Sequence, residues 1–264
     1  PSIDAPHMVT LAGHNRFHAR HSGGKYQMDV SELRSAFLRS RDVISNINNF
    51  RRSRIWDVKT GVTPVELERT GSYFVIHLIP LSAFNGDYKV GGQTFEALAT
   101  GKLNQFFKPF HAPWGWSHLI NLEGCVAYAA PPKEAPITYT QFYRNGIIEA
   151  VDSSLFHAVV KEDKVVPTEL IEKEAMGFVL LQLKLLQQLG FQLPVYVFLS
   201  LIGVKGFVSP TAQYSNEKPG RIGVDDVLLP VMIVDDFSPD IQVVSAPVVE
   251  MMWNAMGFSK SPFK

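Results

Sequence analysis

Histidine, tryptophan and serine crowd into one short stretch, His111-Ala-Pro-Trp-Gly-Trp-Ser-His118. His111, Trp114, Trp116 and His118 could line a ligand pocket. They could equally form a stacking platform for single-stranded nucleic acid, which aromatic faces bind without reading sequence. A tryptophan-rich loop closing the edge of a core is the plainer alternative. Acidic doublets stand at Asp225-Asp226 and Asp235-Asp236. Paired carboxylates can hold a divalent cation for hydrolytic chemistry. Adjacent strand residues face opposite ways, so each doublet offers one ligand per face, and turn or cap roles suit them better. Joint catalysis by the Trp114–His118 loop and Asp235/Asp236 requires the two segments to converge in one pocket.

Other patterns fall short of a site. Gly23-Gly24-Lys25 is followed by Tyr26, where a phosphate-binding loop needs a hydroxyl for magnesium. His14, His18 and His21 have no acidic or cysteine ligand nearby, and zinc needs three or four converging ligands. Ser117 lacks the glycine-flanked elbow of a serine nucleophile. Cys125 sits among apolar residues, where a thiol behaves as a small hydrophobe. The sequence therefore shows no complete catalytic constellation, no cofactor motif and no metal site, and it leans away from an enzyme.

Basic side chains are a clearer signal. Residues 1–60 hold ten Lys and Arg against five Asp and Glu, a net +5, and the other 204 residues carry −5, so the whole chain is neutral. Arg20 and Lys25, with Arg51, Arg52 and Arg54 further on, are the candidate contacts for a DNA or RNA backbone. A solvated helix face is the alternative. A length of 264 residues allows one large domain or two modest ones. With 46% hydrophobic and 19% charged residues, the composition is globular and excludes disorder and low complexity. A single cysteine forms no internal disulfide and suits a reducing compartment. No apolar run approaches the ~18 residues of a membrane span, and the opening Pro-Ser-Ile-Asp is unlike a signal peptide. The expectation is a cytoplasmic protein with no membrane association.

These residues need elements to position them. His7 to Ala12 and Arg16 to His21 are predicted to form a hairpin ended by Gly23 and Gly24. Asp29 and Glu32 form a capping-box pattern. Val30, Leu33, Phe37, Ile44 and Ile47 then recur at helical spacing. This predicts a long helix, with a possible break near Ser40, ending by Gly61. Tyr73 to Leu81 reads as a strand, Phe95 to Phe107 as a short helix, and Trp116 to Leu122 and Cys125 to Ala129 as paired strands. Ile137 to Val151 reads as a hairpin with a tight turn at Arg144-Asn145-Gly146, where Asn-Gly suits the positive φ angles that a two-residue hairpin loop demands. Pro167-Thr168 opens a helix closed by Gly190, with glutamates in its first turn. Pro194 to Val208 and Val227 to Val234 read as strands around an exposed loop, Ser209 to Gly223. A final helix is expected near Ala246 to Met256, with Met251, Met252 and Trp253 as core or as a partner surface. The predicted fold is α+β: a mixed, largely antiparallel sheet with a long N-terminal helix and two further helices. The predicted division is a basic piece over 1–60 and an α+β domain over 61–264.

The run Arg16-Phe-His-Ala-Arg-His-Ser-Gly-Gly-Lys-Tyr-Gln-Met28, followed by Asp29-Val-Ser-Glu-Leu-Arg34, resembles the closing strand and following helix of the Schlafen AlbA-type domain, also catalogued as a divergent AAA domain. Phe17, Arg20, the Ser22-Gly23-Gly24 turn and Met28 match that pattern, while His18 replaces the usual tyrosine. Tyr139 to Val151 and the Trp253-Asn-Ala-Met-Gly257 ending are similar to the C-terminal region of bacterial proteins carrying that domain. The resemblance covers the first 30–60 residues, as the tail of that domain. Nuclease carboxylates described for the family lie upstream of the matching segment, and its ATP-binding label finds no motif here. A start at Pro1 fits a truncated chain or removal of an initiator methionine. The resemblance implies a non-catalytic C-terminal module of a bacterial AlbA-type protein, assisting nucleic-acid binding or partner assembly. A protein partner or a homo-oligomer fits the second role. The alternative is a ligand-binding or hydrolytic domain using the Trp114–His118 loop and Asp235/Asp236.

Overall fold

The computed structural model describes residues 8–11, 14–21, 24–84, 90–160, 162–210 and 220–261, with side chains at Phe17, Gln27 to Val30 and from Val43 onward. The chain divides into two compact units, residues 1–53 and 54–264. The division falls inside a helix rather than at Gly61, because the helix runs on into the second unit.

The first unit is a three-stranded antiparallel meander and most of that helix. Strands β1 (Met8–Leu11), β2 (His14–His21) and β3 (Gly24–Gln27) pair in chain order. Gly24 opens a third strand instead of ending the hairpin: Arg20 pairs with Lys25 and His18 with Gln27. Helix α1 (Val30–Thr60) is unbroken at Ser40. Gly61 ends it with a φ of 82°, the left-handed conformation that costs glycine nothing. Val30 and Ile44 of the predicted stripe are exposed and Ile47 is buried, while Leu33 and Phe37 lie outside the described side chains. Glu32 of the proposed Asp29–Glu32 box lies outside them too.

The second unit is α+β, built on one eight-stranded sheet. Its strands are β4 (Tyr73–Pro80), β5 (Ser117–Ile120), β6 (Gly124–Ala129), β7 (Thr138–Tyr143) and β8 (Ile148–Asp152). A two-stranded ribbon, β9 (Val159–Val160) and β10 (Asp163–Lys164), stands apart, and β11 (Val195–Ile202), β12 (Val227–Leu228) and β13 (Met232–Val234) complete the sheet. The order is β12-β11-β4-β8-β7-β6-β5, with β13 also on β11. Its ladders are antiparallel, and the parallel pairing found is an isolated bridge between Val165 and Val208.

Helix α2 (Gly92–Ala99) is shorter than expected, and with α3 (Thr168–Gln188) and α4 (Ile241–Asn254) there are three further α-helices among the described residues. Helix α4 begins at Asp240, whose carboxylate accepts from the amides of Gln242 and Val243. It continues through Pro247, so the proline sits inside the helix rather than near its start. The long β-run predicted over 227–234 is two short strands, since Pro230 has no N–H for a ladder. Residues 211–219 of the predicted 209–223 loop lie outside the described residues.

Both faces of the sheet are covered. One face buries Phe74, Ile76, Leu78, Phe142 and Ala150 in a large core with α2, α3 and α4. The other buries Tyr73, Val75, Val126, Tyr139 and Val151 with Ile55 and Val58 from the end of α1. That double cover explains why β4 is a continuous apolar run instead of an alternating one. Met252 and Trp253 join the large core, whereas Met251 is half exposed.

Candidate functional site

The most concentrated chemistry in the second unit surrounds Glu149. Strand alternation on β8 aims this carboxylate at the α1 face while Ile148 and Ala150 point into the large core. Cross-strand pairing places His77 of β4 and Gln141 of β7 beside it. Arg54, on the last turns of α1, donates to both carboxylate oxygens at 2.9 Å. His77 Nε2 lies 3.0 Å from Oε2, and the Tyr139 and Tyr143 hydroxyls reach Oε1 at 2.8 and 3.4 Å. Arg54 also donates to Asp57 at 2.9 Å, in the same helix.

Glu149 is fully buried. Burial alone raises its pKa. The hydrogen bond from His77 and the charge and hydrogen bonds of Arg54 outweigh that and pull it down to about 2. For Arg54, burial favours loss of the proton, but the Glu149 charge and hydrogen bond dominate and the pKa rises. Tyr139 is driven up by burial and then by the neighbouring carboxylate. A carboxylate this acidic, enclosed and saturated with donors is a poor base and has no open side for a substrate. Its chemistry is to clamp helix to sheet.

The predicted basic contacts separate in this structure. Arg54 is committed to Glu149 and Asp57. Arg51 is buried, and that burial lowers its pKa to about 10. Arg52 is exposed on α1. Arg20 and Lys25 face each other across the β2–β3 ladder, and their side chains lie outside the described residues. Sequence reasoning grouped Arg51, Arg52 and Arg54 as one surface, but at about 100° per residue Arg52 points away from the side that Arg51 and Arg54 share.

The aromatic loop does not plug a core. Trp114 and Trp116 are exposed, at 56% and 40% of their surface, and lead into β5 at the sheet edge. His118 is half-buried, tilted against the Phe107 ring at 5.7 Å between centroids. Its Nε2 lies 3.4 Å from both the Asn104 amide nitrogen and the Phe107 carbonyl. Burial lowers its pKa, partly countered by that carbonyl, so the ring is neutral near pH 7. His111, also half-buried, interacts with Asp152. Burial raises the Asp152 pKa, opposed by hydrogen bonds from Ser154 and by His111. Cys125 is buried, its thiol pushed up to about 11 by burial, as an inert residue should be.

The sheet keeps the other half of the alternative site away. Asp235 and Asp236 follow β13, which pairs with β11, and β11 is five strands from β5. At ~4.8 Å per strand the separation is about 24 Å or more, too far for His118 and Asp236 to share a proton. Asp236 instead accepts the Ser238 amide at 2.9 Å in a turn. Asp225 and Asp226 bind Lys59 at 2.9 and 2.8 Å. Among the described residues, no group of three His, Cys, Asp or Glu is placed to hold a metal, and no helix is long and apolar enough to cross a membrane. An open cleft of about 490 Å³ between α3 and α4 is lined by Glu169, Glu172, Lys173 and Gln242. Glu172 there accepts from the Trp253 indole at 3.3 Å.

Comparison with protein-family models, with curated proteins and with solved structures finds no match to this chain.

Proposed function

We propose that this chain is the non-catalytic C-terminal part of a bacterial AlbA-type protein, in which a basic N-terminal unit assists nucleic-acid binding and the sheet unit serves assembly. The observation that carries the reading is the net charge of the first structural unit. The structural division falls after Ser53. Residues 1–53 hold eight Lys and Arg against four Asp and Glu, a net +4, and the remainder carries −4. A basic unit suits phosphate contacts that position without reading bases.

Fluorescence anisotropy with short single- and double-stranded DNA and RNA, from ~50 to ~200 mM salt, tests the reading. Salt-sensitive binding with little sequence preference is expected. Arg20→Ala, Lys25→Ala and Arg52→Ala should each weaken it and flatten the salt slope by roughly one contact, ~0.7–0.9 in log–log units. Arg51→Ala and Arg54→Ala should act on folding instead. Absence of binding at the lowest salt would refute the nucleic-acid half of the proposal.

A further inference from the structure

The two edges of the eight-stranded sheet are built differently. On one side, β12 and β13 are two and three residues long, separated by Pro230 and preceded by Asp225 and Asp226. Short strands, proline and charge are the devices by which sheets refuse further pairing. On the other side, among the described residues, β5 pairs with β6 alone. From Pro109 to Leu122 there is no Lys, Arg, Asp or Glu, and His118 is held neutral. Leu119 and Ile120 are about half exposed and Leu122 is 89% exposed, beside the two tryptophans. From Ser117 to Leu122 this edge carries neither the proline nor the charge that guards the opposite edge.

Its backbone is ready to pair. Asn121 and Gly124 exchange both amide–carbonyl bonds, at 2.9 and 3.3 Å. Antiparallel ladders alternate, so Ser117, Leu119 and Asn121 turn their N–H and C=O toward β6. His118 and Ile120 therefore present theirs outward. We propose that the chain forms a two-fold homodimer by antiparallel pairing of β5 with β5 of a second copy, centred on Leu119, to make one continuous sixteen-stranded sheet.

The strand complements itself in this register. His118 of each copy faces Ile120 of the other, and the two pairs exchange four backbone hydrogen bonds. Leu119 meets its own symmetry mate at a non-hydrogen-bonded position, where side chains approach most closely. Trp116 falls opposite Leu122, on the face shared with Ile120. No charge meets a like charge, and Leu119, Trp116 and Leu122 find apolar partners while Ile120 meets the His118 imidazole. An unrelated strand would have to repeat this pattern, whereas a second copy carries it by symmetry. Covering the five apolar side chains in both copies removes on the order of 1,000 Å², near the lower bound for a specific interface. A dimer in concentration-dependent exchange with monomer is therefore expected. This inference does not depend on nucleic-acid binding.

Analytical ultracentrifugation of the full chain over a concentration series tests it. The expected result is a shift from 29.5 kDa toward twice that mass as concentration rises. Leu119→Lys places two ammonium groups face to face and should raise the dimer dissociation constant at least tenfold. Its thermal transition at monomeric concentration should be unchanged, because Leu119 is exposed. Leu119→Glu should do the same alone, and mixing the two variants should restore a heterodimer. Leu228→Lys, on the guarded edge, should have no effect. A wild-type chain monomeric throughout, a dimer indifferent to Leu119→Lys, or a mixture that fails to re-associate would each overturn the proposal.

Discussion

At the scale of single residues, the defining feature is a carboxylate in a place that penalises charge. Glu149 survives there because Arg54, His77 and Tyr139 replace the water it loses. Glu149→Gln leaves the Arg54 guanidinium partly buried with the more exposed Asp57 as its remaining counter-charge, and should cost about 3–5 kcal/mol of unfolding free energy in urea titrations. Arg54→Met with Glu149→Leu removes both charges and should recover much of that loss. A double variant as unstable as Glu149→Gln alone would move the main defect to His77 and Tyr139. The pH dependence has a definite sign. The folded pKa of Glu149 lies below its ordinary 4.5, at about 2. Its contribution is thus complete above pH 4.5 and lost as pH falls toward 2. Asp152 acts oppositely: burial raises its folded pKa, so stability declines as pH rises through the interval above 3.8. In Glu149→Gln the acid limb of the stability profile should flatten.

Elements were legible where local chemistry and tertiary demand agree. The Asn145-Gly146 signal marked the β7–β8 hairpin because only a left-handed residue closes such a turn. The loop has three residues, with Tyr143 and Ile147 flanking it and Gly146 at a φ of 86°. A Cβ at Gly146 would collide with the Phe191 ring. Gly146→Ala should therefore combine backbone strain with displacement of a core aromatic, costing about 1–3 kcal/mol by thermal or chemical denaturation. An unchanged midpoint would mean that the ring moves freely. Helix α3 was legible from Pro167, its glutamates and Gly190, while the start of α4 was obscured by Pro247. The Glu149 network left a trace too: a histidine inside the apolar run of β4 and a glutamate between Ile148 and Ala150. Neither stands out alone, since only strand pairing together with the packing of α1 on the sheet brings residues 54, 77, 139 and 149 together. The same holds for Arg51, Arg52 and Arg54, whose shared charge in sequence became one buried, one exposed and one paired side chain.

At the scale of the whole molecule, the first structural unit carries a net +4, and the two proposed roles divide between the units. The sheet unit contains its own two apolar cores and the complete Glu149 clamp, all from residues beyond Ser53. A chain beginning at Val43 keeps the last 18 residues of α1, including Arg51, Arg52 and Arg54, and loses six of the eight basic residues of the first unit. Because stability resides in packed area rather than in the short strands of the meander, this shortened chain should retain a single cooperative unfolding transition by circular dichroism. It should also retain the concentration-dependent mass shift that depends on β5, while its nucleic-acid affinity at ~50 mM salt falls steeply, since each lost phosphate contact removes counterion release. Dimerisation without binding would place the two roles in separate units. Loss of both in a folded chain would show that the meander takes part in self-association, and centring the interface on Leu119 would then be wrong. Undiminished binding would instead shift the polyanion surface from the meander to the exposed face around Arg52, leaving the dimer as the sheet unit's own contribution.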